Sequence, residues 1–456
     1  MLALSDLGLY TVMVYSLYKP VAEGDTARIS ALIRYYQKLY LIVAAAVTVI
    51  GVACVPFLKF LVKDSNLTQQ ELIVYYLLIL ANSTCSYFAI SKSTLIRADQ
   101  NINIIQSVQA ATKIGLNVVQ VLVLVFFKNY TLFLVIPIIS TLINNIILTK
   151  IADRKYPYLK DASKSAVVNT EIRREITTNL KATFLYKLGA TIINSTNNIL
   201  ISVLLGTVMV GYYSNYSTVV SLVVGLFGII INAVLASIGN FNATQNNGRK
   251  FALFKLMLMI FYFIAGFCAA CYLSIFDDFI TVWIGKQYVL DSQFLIALVI
   301  STTVTCISNP LWMMRESAGV FRSVRFVMLA AAGVNIALSC VLAQFLGLAG
   351  IILATPIAHL VTLFWYEPRM LCKQVFHVPV WHYWKKVLLL LLAIIPCGIV
   401  GWVLHGFSTT NVFAMAGKVL LCGITTVASF VVLFRKTEEM QWIMDVIVKI
   451  LRRKTA

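Results

Sequence analysis

The sequence has 456 residues, of which 60% are hydrophobic and only 12% are charged, and its formal net charge is +19. So apolar a composition excludes a water-soluble globular protein. In a soluble protein the positive charge would indicate nucleic-acid binding. Here cytoplasmic loops that face anionic lipid headgroups account for the charge, so we expect membrane lipids and no nucleic acid as partners.

Apolar stretches recur along the whole chain, and each is about as long as the roughly 20 residues that a helix needs to cross a bilayer. The thirteen stretches lie near residues 1–19, 36–62, 71–90, 103–127, 132–152, 183–207, 211–240, 251–276, 293–314, 324–346, 347–371, 385–405 and 412–435. The predicted fold class is therefore an all-α polytopic membrane protein with about thirteen transmembrane helices.

The positive residues are sorted between alternate loops, which predicts the orientation. If the loop after the first stretch is cytoplasmic, nearly all of the 37 Lys and Arg lie on the cytoplasmic side, as the positive-inside rule requires. The exceptions are Lys59, Lys63, Lys128 and Lys286 outside, and Lys113 and Lys418 within spans. The C-terminus is then cytoplasmic. Because the chain starts directly in an apolar segment and has an odd number of spans, we expect that one N-terminal helix is missing.

The longest hydrophilic segment divides the spans into two blocks. We predict an N-terminal lobe over 1–152, a cytoplasmic loop over 153–182 and a C-terminal lobe over 183–371. Two additional transmembrane helices follow over 372–435, and an amphipathic cytoplasmic tail over 436–456. With the missing helix, two blocks of six would form pseudo-repeat lobes, and parallel repeats of this kind are a common plan of transporters.

A stripe of polar residues follows one face of the span 103–127. Its members are spaced at i, i+3, i+7, i+11 and i+14, and they are Gln106, Gln109, Lys113, Asn117 and Gln120. Such a face either lines a hydrophilic path or forms a helix–helix seam held by amide hydrogen bonds. A lysine near the centre of a span is costly in lipid, which favours the hydrophilic path.

A second polar cluster begins in the span 183–207 and continues past its end. Lys187, Asn194 and Asn198 share one helix face, and Asn197 lies beside them. A tyrosine-rich segment, Tyr212 to Tyr216, follows. Amides and tyrosines offer hydrogen bonds and flat faces that suit sugars, although tyrosines near the end of a span also form interfacial belts.

Acidic residues are nearly absent from the predicted spans. Asp6 is the only acid well within one, so it is the candidate for ion coupling, and ion-driven pumps usually keep several such acids. Spans with lysines, amides and tyrosines instead favour an anionic, hydroxyl-rich substrate. The nine cysteines and four histidines are scattered, so neither a metal site nor a cofactor is predicted.

Several segments together resemble the Wzx-type polysaccharide flippases, which belong to the multidrug/oligosaccharidyl-lipid/polysaccharide exporter superfamily. The matching segments occur in the right order over nearly the whole chain, at 6–20 with 22–25, 98–100, 188–189 with 194–202, 210–216, 279–288, 347–350 and 365–368. The resemblance implies two six-helix lobes around a central cavity that opens to alternate membrane faces, plus two C-terminal helices.

The implied substrate is an oligosaccharide repeat unit on polyprenyl pyrophosphate. It would move from the cytoplasmic to the outer leaflet of the bacterial plasma (inner) membrane, for O antigen, capsule or exopolysaccharide synthesis. No covalent step is needed, so an enzyme is not expected; a polysaccharide polymerase and glycosyltransferases are the expected partners. The candidate substrate-binding residues are Lys113, Lys187, Asn194, Asn197, Asn198, Tyr15, Tyr18, Lys19, Tyr213, Asn215, Tyr216 and Arg315.

The chain departs from the family in two respects. Family members begin with a further helix, and they often carry Asp where this chain has Asn197. The alternatives are a drug/cation antiporter of the same superfamily, which would need a negative cavity, and a membrane glycosyltransferase or polymerase, which would need paired carboxylates.

Overall fold

The structure is a computed structural model that describes residues 9–58, 62, 68–161, 170–244, 247–318, 320 and 323–445. Some side chains of the helices Leu9–Glu23, Thr170–Leu205 and Thr207–Thr244 are not described. Throughout these ranges the regular secondary structure is helical. The helices are α1 Leu9–Glu23, α2 Thr26–Ala53, α3 Gln69–Ser86, α4 Ile90–Ala98, α5 Ile102–Phe126, α6 Tyr130–Lys155, α7 Thr170–Leu205, α8 Thr207–Thr244, α9 Asn247–Trp283, α10 Ser292–Ala318, α11 Arg325–Val361, α12 Leu363–Leu371, α13 Trp381–His405 and α14 Val412–Phe434.

The predicted fold class is confirmed: the chain is an all-α, multi-pass membrane protein. Within the described ranges, nine helical segments are long and apolar enough to cross a membrane, or up to ten if one bent pair counts as a single span. One of the nine runs from Arg325 to Phe376 and includes two of the thirteen predicted spans.

The segment α11 is a helical hairpin rather than one long helix. Gly347 has φ +54°, and the side-chain amide of Asn335 donates to Thr355 Oγ1 at 3.0 Å. In a straight helix these two residues would lie roughly 30 Å apart. A Cβ at Gly350 would lie 2.2 Å from the backbone oxygen of Leu342, so the two arms touch beside the turn. The predicted boundary between the spans 324–346 and 347–371 is therefore confirmed.

Several helices extend beyond the apolar stretches that predicted them. α2 begins at Thr26, where the Asp25 side chain accepts a hydrogen bond from the Arg28 backbone N–H at 2.9 Å. α7 begins at Thr170, so part of the predicted loop 153–182 is helical. Hydropathy marks only the part of a helix that suits lipid, whereas backbone hydrogen bonding and caps continue the helix into polar sequence.

The described contacts divide the chain into two compact units, Met1–Thr191 and Ile192–Ala456, and the division falls inside α7. In the N-terminal unit, apolar residues of α1, α2 and α4 form the core, with Met13, Leu17 and Leu95 fully buried. The Ser16 and Tyr36 hydroxyls share a short hydrogen bond that joins α1 to α2.

In the C-terminal unit, α9 lies at the centre of the packing. Phe276 and Ile280 of α9 pack with Phe294 of α10 in its main core. On another side, α9 meets α13 so closely that a Cβ at Gly401 would lie 2.7 Å from the backbone oxygen of Ala270. The α13 and α14 helices thus belong to the same compact unit as α9. Residues 438–445 of the predicted amphipathic tail are helical.

Candidate functional site

A polar cavity of about 350 Å³ lies among α3, α4, α5 and α6 of the N-terminal unit. Hydroxyls, amides and one lysine form much of its wall. The lining residues are Ser86, Ala89, Ile90, Ser93, Gln109, Thr112, Lys113, Leu116, Ser140, Thr141, Asn144, Asn145 and Leu148. Its volume is that of a pocket for a small molecule or for part of a larger ligand.

Polar side chains of α6 connect this helix to its neighbours and shape the wall. The Thr141 hydroxyl donates to Asn82 Oδ1 at 2.8 Å, and the Asn145 amide donates to the Cys85 carbonyl at 2.7 Å, both in α3. Asn144 differs from these residues: its Oδ1 is buried and has no hydrogen-bond partner among the described residues. A buried acceptor without a donor is costly, so Asn144 is suited to accept a hydrogen bond from a ligand hydroxyl.

Lys113 supplies the cationic part of the cavity wall. Its side chain is exposed, and no carboxylate in the described ranges forms an ion pair with it. A lysine within a span normally pairs with an acid or faces a watery cavity. Lys113 therefore suits an anionic group bound in the cavity, since charge-assisted hydrogen bonds are among the strong ones.

The sequence left open whether the polar stripe of α5 lines a hydrophilic path or forms a helix–helix seam, and its residues differ in their surroundings. Gln109 and Lys113 lie in the cavity wall. Gln120 instead donates from Nε2 to the Phe133 carbonyl of α6 at 3.1 Å, as in a helix–helix seam. Gln106 and Asn117 are exposed. Part of this helix face thus lines a cavity, and another part contacts the neighbouring helix.

An ionic network lies at the end of α4 and α6 in the same unit. Asp99 accepts hydrogen bonds from Lys155 at 2.9 Å and from the Tyr156 hydroxyl at 2.8 Å, and Lys92 pairs with Asp153 at 2.6 Å. Burial raises the pKa of Asp99, but these hydrogen bonds outweigh it and hold the pKa below its usual value. The basic residues at this end are therefore partly neutralised, unlike Lys113.

The predicted tyrosine and amide cluster is only partly brought together in the C-terminal unit. Asn197 and Tyr213 hydrogen-bond to each other across the turn between α7 and α8. The Oδ1 atom of Asn197 is buried without a partner among the described residues. Asn198 is exposed and Asn215 is half-buried. Asn197 and Tyr213 are thus the members of this cluster that are placed together.

Two predicted substrate-binding residues are buried and bind other protein groups. Tyr216 is fully buried; its hydroxyl donates to Asp277 at 3.3 Å and accepts from the Leu290 N–H at 3.0 Å. Arg315 is 2% exposed and forms an ion pair with the buried Glu367. The Tyr216 hydroxyl and the Arg315 guanidinium group thus contact buried protein groups in this structure, and a role of either residue in substrate binding stays a prediction.

The carboxylates of α9 also correct an expectation. The predicted span ended at 276, but α9 continues to Trp283 and includes Asp277 and Asp278. Asp278 is 8% exposed, and it accepts a hydrogen bond from Lys418 Nζ of α14 at 2.6 Å. A helix long and apolar enough to cross the membrane thus includes acids besides the predicted Asp6. Lys418, which the sequence places within a span, was the signal for a buried acid, since a lysine inside a span requires a partner.

The remaining candidates are placed as follows. Lys187 is half-buried in α7, and Tyr18 of α1 is 49% exposed. The helix face predicted for Lys187, Asn194 and Asn198 is divided between the two units, so it stays a prediction. The residue Asp6 and the side chains of Tyr15, Lys19 and Asn194 lie outside the part of the chain that the structure describes. Among the described residues, no group of three His, Cys, Asp or Glu is arranged to hold a metal ion.

These features define a polytopic helical membrane protein with a cation-bearing polar cavity in its N-terminal unit. Neither a known protein family nor a curated protein matches the sequence. Solved structures do match the fold. An inward-facing MATE-family multidrug resistance transporter of the MOP superfamily has a TM-score of 0.63 at 15% identity, over 81% of this chain and 87% of that one.

The lipid II flippase MurJ, in an inward closed conformation, matches with a TM-score of 0.60 at 15% identity, over 94% of this chain and 90% of that one. The Vibrio cholerae MATE transporter VcmN in its bent form has a TM-score of 0.56 at 13% identity, over 83% and 87% of the two chains. This chain therefore has the fold of MATE transporters and of MurJ, and the predicted superfamily resemblance is supported at the level of the fold.

Proposed function

We propose that this protein is a flippase for polyprenyl-pyrophosphate-linked oligosaccharides in the bacterial plasma membrane. It would move them to the outer leaflet by alternating access, for the synthesis of a surface polysaccharide. The observation that carries the proposal is the cavity of the N-terminal unit, where Lys113 has no carboxylate partner among the described residues and is surrounded by hydroxyls and amides. Translocation changes no covalent bond, so the protein needs no catalytic group.

The residues of the cavity match the parts of such a substrate. The Lys113 ammonium group would donate to pyrophosphate oxygens, and this contact is stronger in surroundings of low dielectric than in water. Gln109, Ser93 and Asn144 would exchange hydrogen bonds with sugar hydroxyls. The volume of about 350 Å³ suits the pyrophosphate and the sugar next to it rather than a whole oligosaccharide.

The opposite side of α5 suits the lipid part of the substrate. Ile114, Val118 and Val121 are 65%, 53% and 59% exposed, so this side of the helix faces the bilayer. A polyprenyl chain can remain in the lipid while its headgroup occupies the polar cavity. The same helix thus offers an apolar surface and a cationic polar surface, as an amphiphilic anion requires.

The other candidate residues are proposed as further contacts along the path. Lys187 would supply a second cation, and Asn197, Asn198, Tyr213 and Asn215 would contact sugars. Tyr15, Tyr18, Lys19 and Asn194 have the same proposed role, and Asp6 remains the candidate for ion coupling. A polymerase and glycosyltransferases are the proposed partners, because they would consume and supply the substrate.

A drug/cation antiporter is the second candidate, and Asp277 with Asp278 is the observation that favours it. Carboxylates within a membrane helix can bind cations. However, Lys418 already pairs with Asp278, and His405 lies 3.9 Å from Asp277. These acids lie beside basic groups of the same unit, whereas no acid among the described residues pairs with Lys113. The electrostatics therefore favour an anionic substrate.

Substitution of Lys113 tests the proposal. The purified protein would be reconstituted in vesicles that contain a polyprenyl-pyrophosphate-linked oligosaccharide, and translocation would be measured by the accessibility of the sugar to an added enzyme. We expect Lys113→Gln to slow translocation at least tenfold, because it removes a charge-assisted contact worth about 1.5–3 kcal/mol. Lys150→Gln is the matched control, since Lys150 is an exposed cation at the end of α6 outside the cavity. Equal rates for the two variants would remove Lys113 from the site.

A further inference from the structure

A second cavity, of about 430 Å³, lies at the turn between α12 and α13 in the C-terminal unit. It is distant in sequence from the proposed transport site and independent of it. Three basic or titratable side chains and three small or apolar ones line it: Arg369, Cys372, Lys373, His377, Val378 and Val380.

The local backbone places the three basic side chains together. Arg369 lies in α12, Lys373 in the turn that follows it and His377 at the end of that turn, and all three line the same cavity. Between them α12 widens into a π-helical turn, Cys372–Phe376, which ends where His377 adopts φ +56°. Single π-helical turns are frequent at functional sites. The Val378 N–H donates to the Cys372 carbonyl at 3.1 Å and closes the turn.

The floor of this cavity is fixed, while its basic side chains are accessible. Cys372 is 2% exposed and Phe376 is fully buried, and the Phe376 ring stacks on Phe254 of α9 with centroids 4.9 Å apart. Arg369, Lys373 and His377 are exposed. The two cations and the imidazole thus project from a turn that is anchored to the core.

The charge around this cavity is not compensated within the described part of the chain. No described carboxylate forms an ion pair with Arg369, Lys373 or His377. The nearest acid in sequence, Glu367, is buried against Arg315. Asn247 Nδ2 lies 3.3 Å from His377 Nδ1, and Asn247 carries no charge. The cavity therefore has the charge and the donors of an anion site.

Exposed tryptophans place this turn at the level of lipid headgroups. Trp381, which begins α13, is 69% exposed, and Trp365 of α12 is 49% exposed. The Trp365 and Trp384 rings are in contact, with centroids 4.9 Å apart and an angle of 40° between their planes. Tryptophans concentrate at membrane–water interfaces, where the indole ring meets the headgroups. Phospholipid headgroups present a phosphate group at this depth.

We propose that Arg369, Lys373 and His377 form a binding site for the phosphate of an anionic phospholipid headgroup. The two cations and the imidazole bind the phosphate oxygens, and Val378 and Val380 contact the glycerol and the start of the acyl chains. A bound lipid connects the turn between α12 and α13 to the membrane surface that the distribution of Lys and Arg predicts to be cytoplasmic.

The test is the thermal unfolding midpoint of the purified protein in detergent, titrated with short-chain phosphatidylglycerol, with phosphatidylcholine of the same chain length, or with inorganic phosphate. We expect phosphatidylglycerol alone to raise the midpoint in a saturable way. Arg369→Ala/Lys373→Ala should weaken the apparent affinity about thirtyfold, because each basic residue near the surface contributes about 1 kcal/mol. Higher salt should weaken binding as well.

The matched control is Arg435→Ala/Lys436→Ala, which removes two exposed cations after α14 and should change the affinity less than about twofold. If the alanine variant has a lowered midpoint without lipid, Arg369→Gln/Lys373→Gln replaces it. Equal losses in the pocket and control variants, or no response to phosphatidylglycerol, would overturn the site. An equal response to inorganic phosphate would overturn the lipid as its source and assign the pocket to a free anion.

Discussion

Asp278 and Lys418 show how single charges are accommodated in the apolar interior of this protein. Lys418 Nζ lies 2.6 Å from Asp278 Oδ2 and also donates to the Ser274 carbonyl at 3.2 Å, while the Thr409 N–H donates to the other carboxylate oxygen at 3.1 Å. Both side chains are less than 10% exposed. Because every charge here has a partner, the pair joins α14 to α9 without leaving a charge unpaired in the membrane.

Removal of one partner should therefore destabilise the C-terminal unit strongly. We expect Lys418→Met to lower the free energy of unfolding by about 3–5 kcal/mol, because Asp278 would remain buried and unpaired. Lys418→Met/Asp278→Asn should recover most of this loss. The measurement is thermal unfolding in detergent. If the single variant were as stable as the unmodified protein, the ion pair would not be formed.

Glu439 provides a prediction about pH. It accepts from Lys386 at 3.0 Å and lies 3.3 Å from Lys255, so it joins the start of the C-terminal tail to α13 and α9. Burial raises the pKa of Glu439, but the hydrogen bond and the charges of these lysines outweigh it and lower the pKa. A lowered pKa adds stability above the unfolded value of about 4.3, and this stability is lost as the pH falls through the folded value.

Glu439→Gln should therefore lower the unfolding midpoint at neutral pH and reduce its fall when the pH is brought below about 4. Glu438→Gln is the control, since Glu438 is the exposed neighbour and should keep the pH dependence of the unmodified protein. Identical pH profiles for the Glu439 variant and the unmodified protein would contradict the role of this carboxylate.

At the scale of elements, the helical hairpin α11 depends on close backbone contact. A Cβ at Gly350 would lie 2.2 Å from the Leu342 oxygen, whereas one at Gly333 would meet nothing within 4 Å. Gly350→Ala should therefore cost about 1–3 kcal/mol through overpacking. Gly333→Ala should be neutral or stabilising by up to about 1 kcal/mol, because it improves helix propensity. Thermal unfolding of the two variants makes the comparison, and equal stability would contradict the hairpin.

The apolar periodicity of the sequence predicted the existence of these elements better than their limits. Hydropathy separated the two arms of α11 at residue 347, where Gly347 turns the chain. It placed the start of the second span ten residues after Thr26, since the polar first turns of α2 suit water rather than lipid. Hydropathy describes the environment of a helix, whereas caps and backbone hydrogen bonds determine where it begins.

The candidate site was predictable only in part, for a related reason. Periodicity identified the face of α5 that includes Gln109 and Lys113, and that face does line a cavity. The sequence did not show that Tyr216 contacts Asp277 or that Arg315 pairs with Glu367, because these partners are 61 and 52 residues away. Lys418 and Asp278 are 140 residues apart, and a single sequence does not show which distant residues meet.

At the scale of the whole molecule, the distribution of Lys and Arg predicts the orientation in the membrane. In a variant without native cysteines, a cysteine at Gln287 should react with a membrane-impermeant reagent added outside intact cells, and one at Lys164 should react only after the membrane is opened. Gln287 lies in the short turn after α9, and Lys164 lies in the loop richest in charges. Labelling of Lys164→Cys in intact cells would reverse the orientation.

The two proposed functions differ in the substrate that is transported. Transport assays with the protein in reconstituted vesicles distinguish between them directly. The unmodified protein would be assayed in parallel for movement of a polyprenyl-pyrophosphate-linked oligosaccharide between leaflets and for uptake of a cationic dye under a proton or sodium gradient. Lys113, which has no carboxylate partner in the described part of the chain, lies in a cavity of hydroxyls and amides, and this predicts movement of the glycolipid and no uptake of the dye. Dye uptake driven by the gradient, with the glycolipid remaining in its original leaflet, would contradict the account.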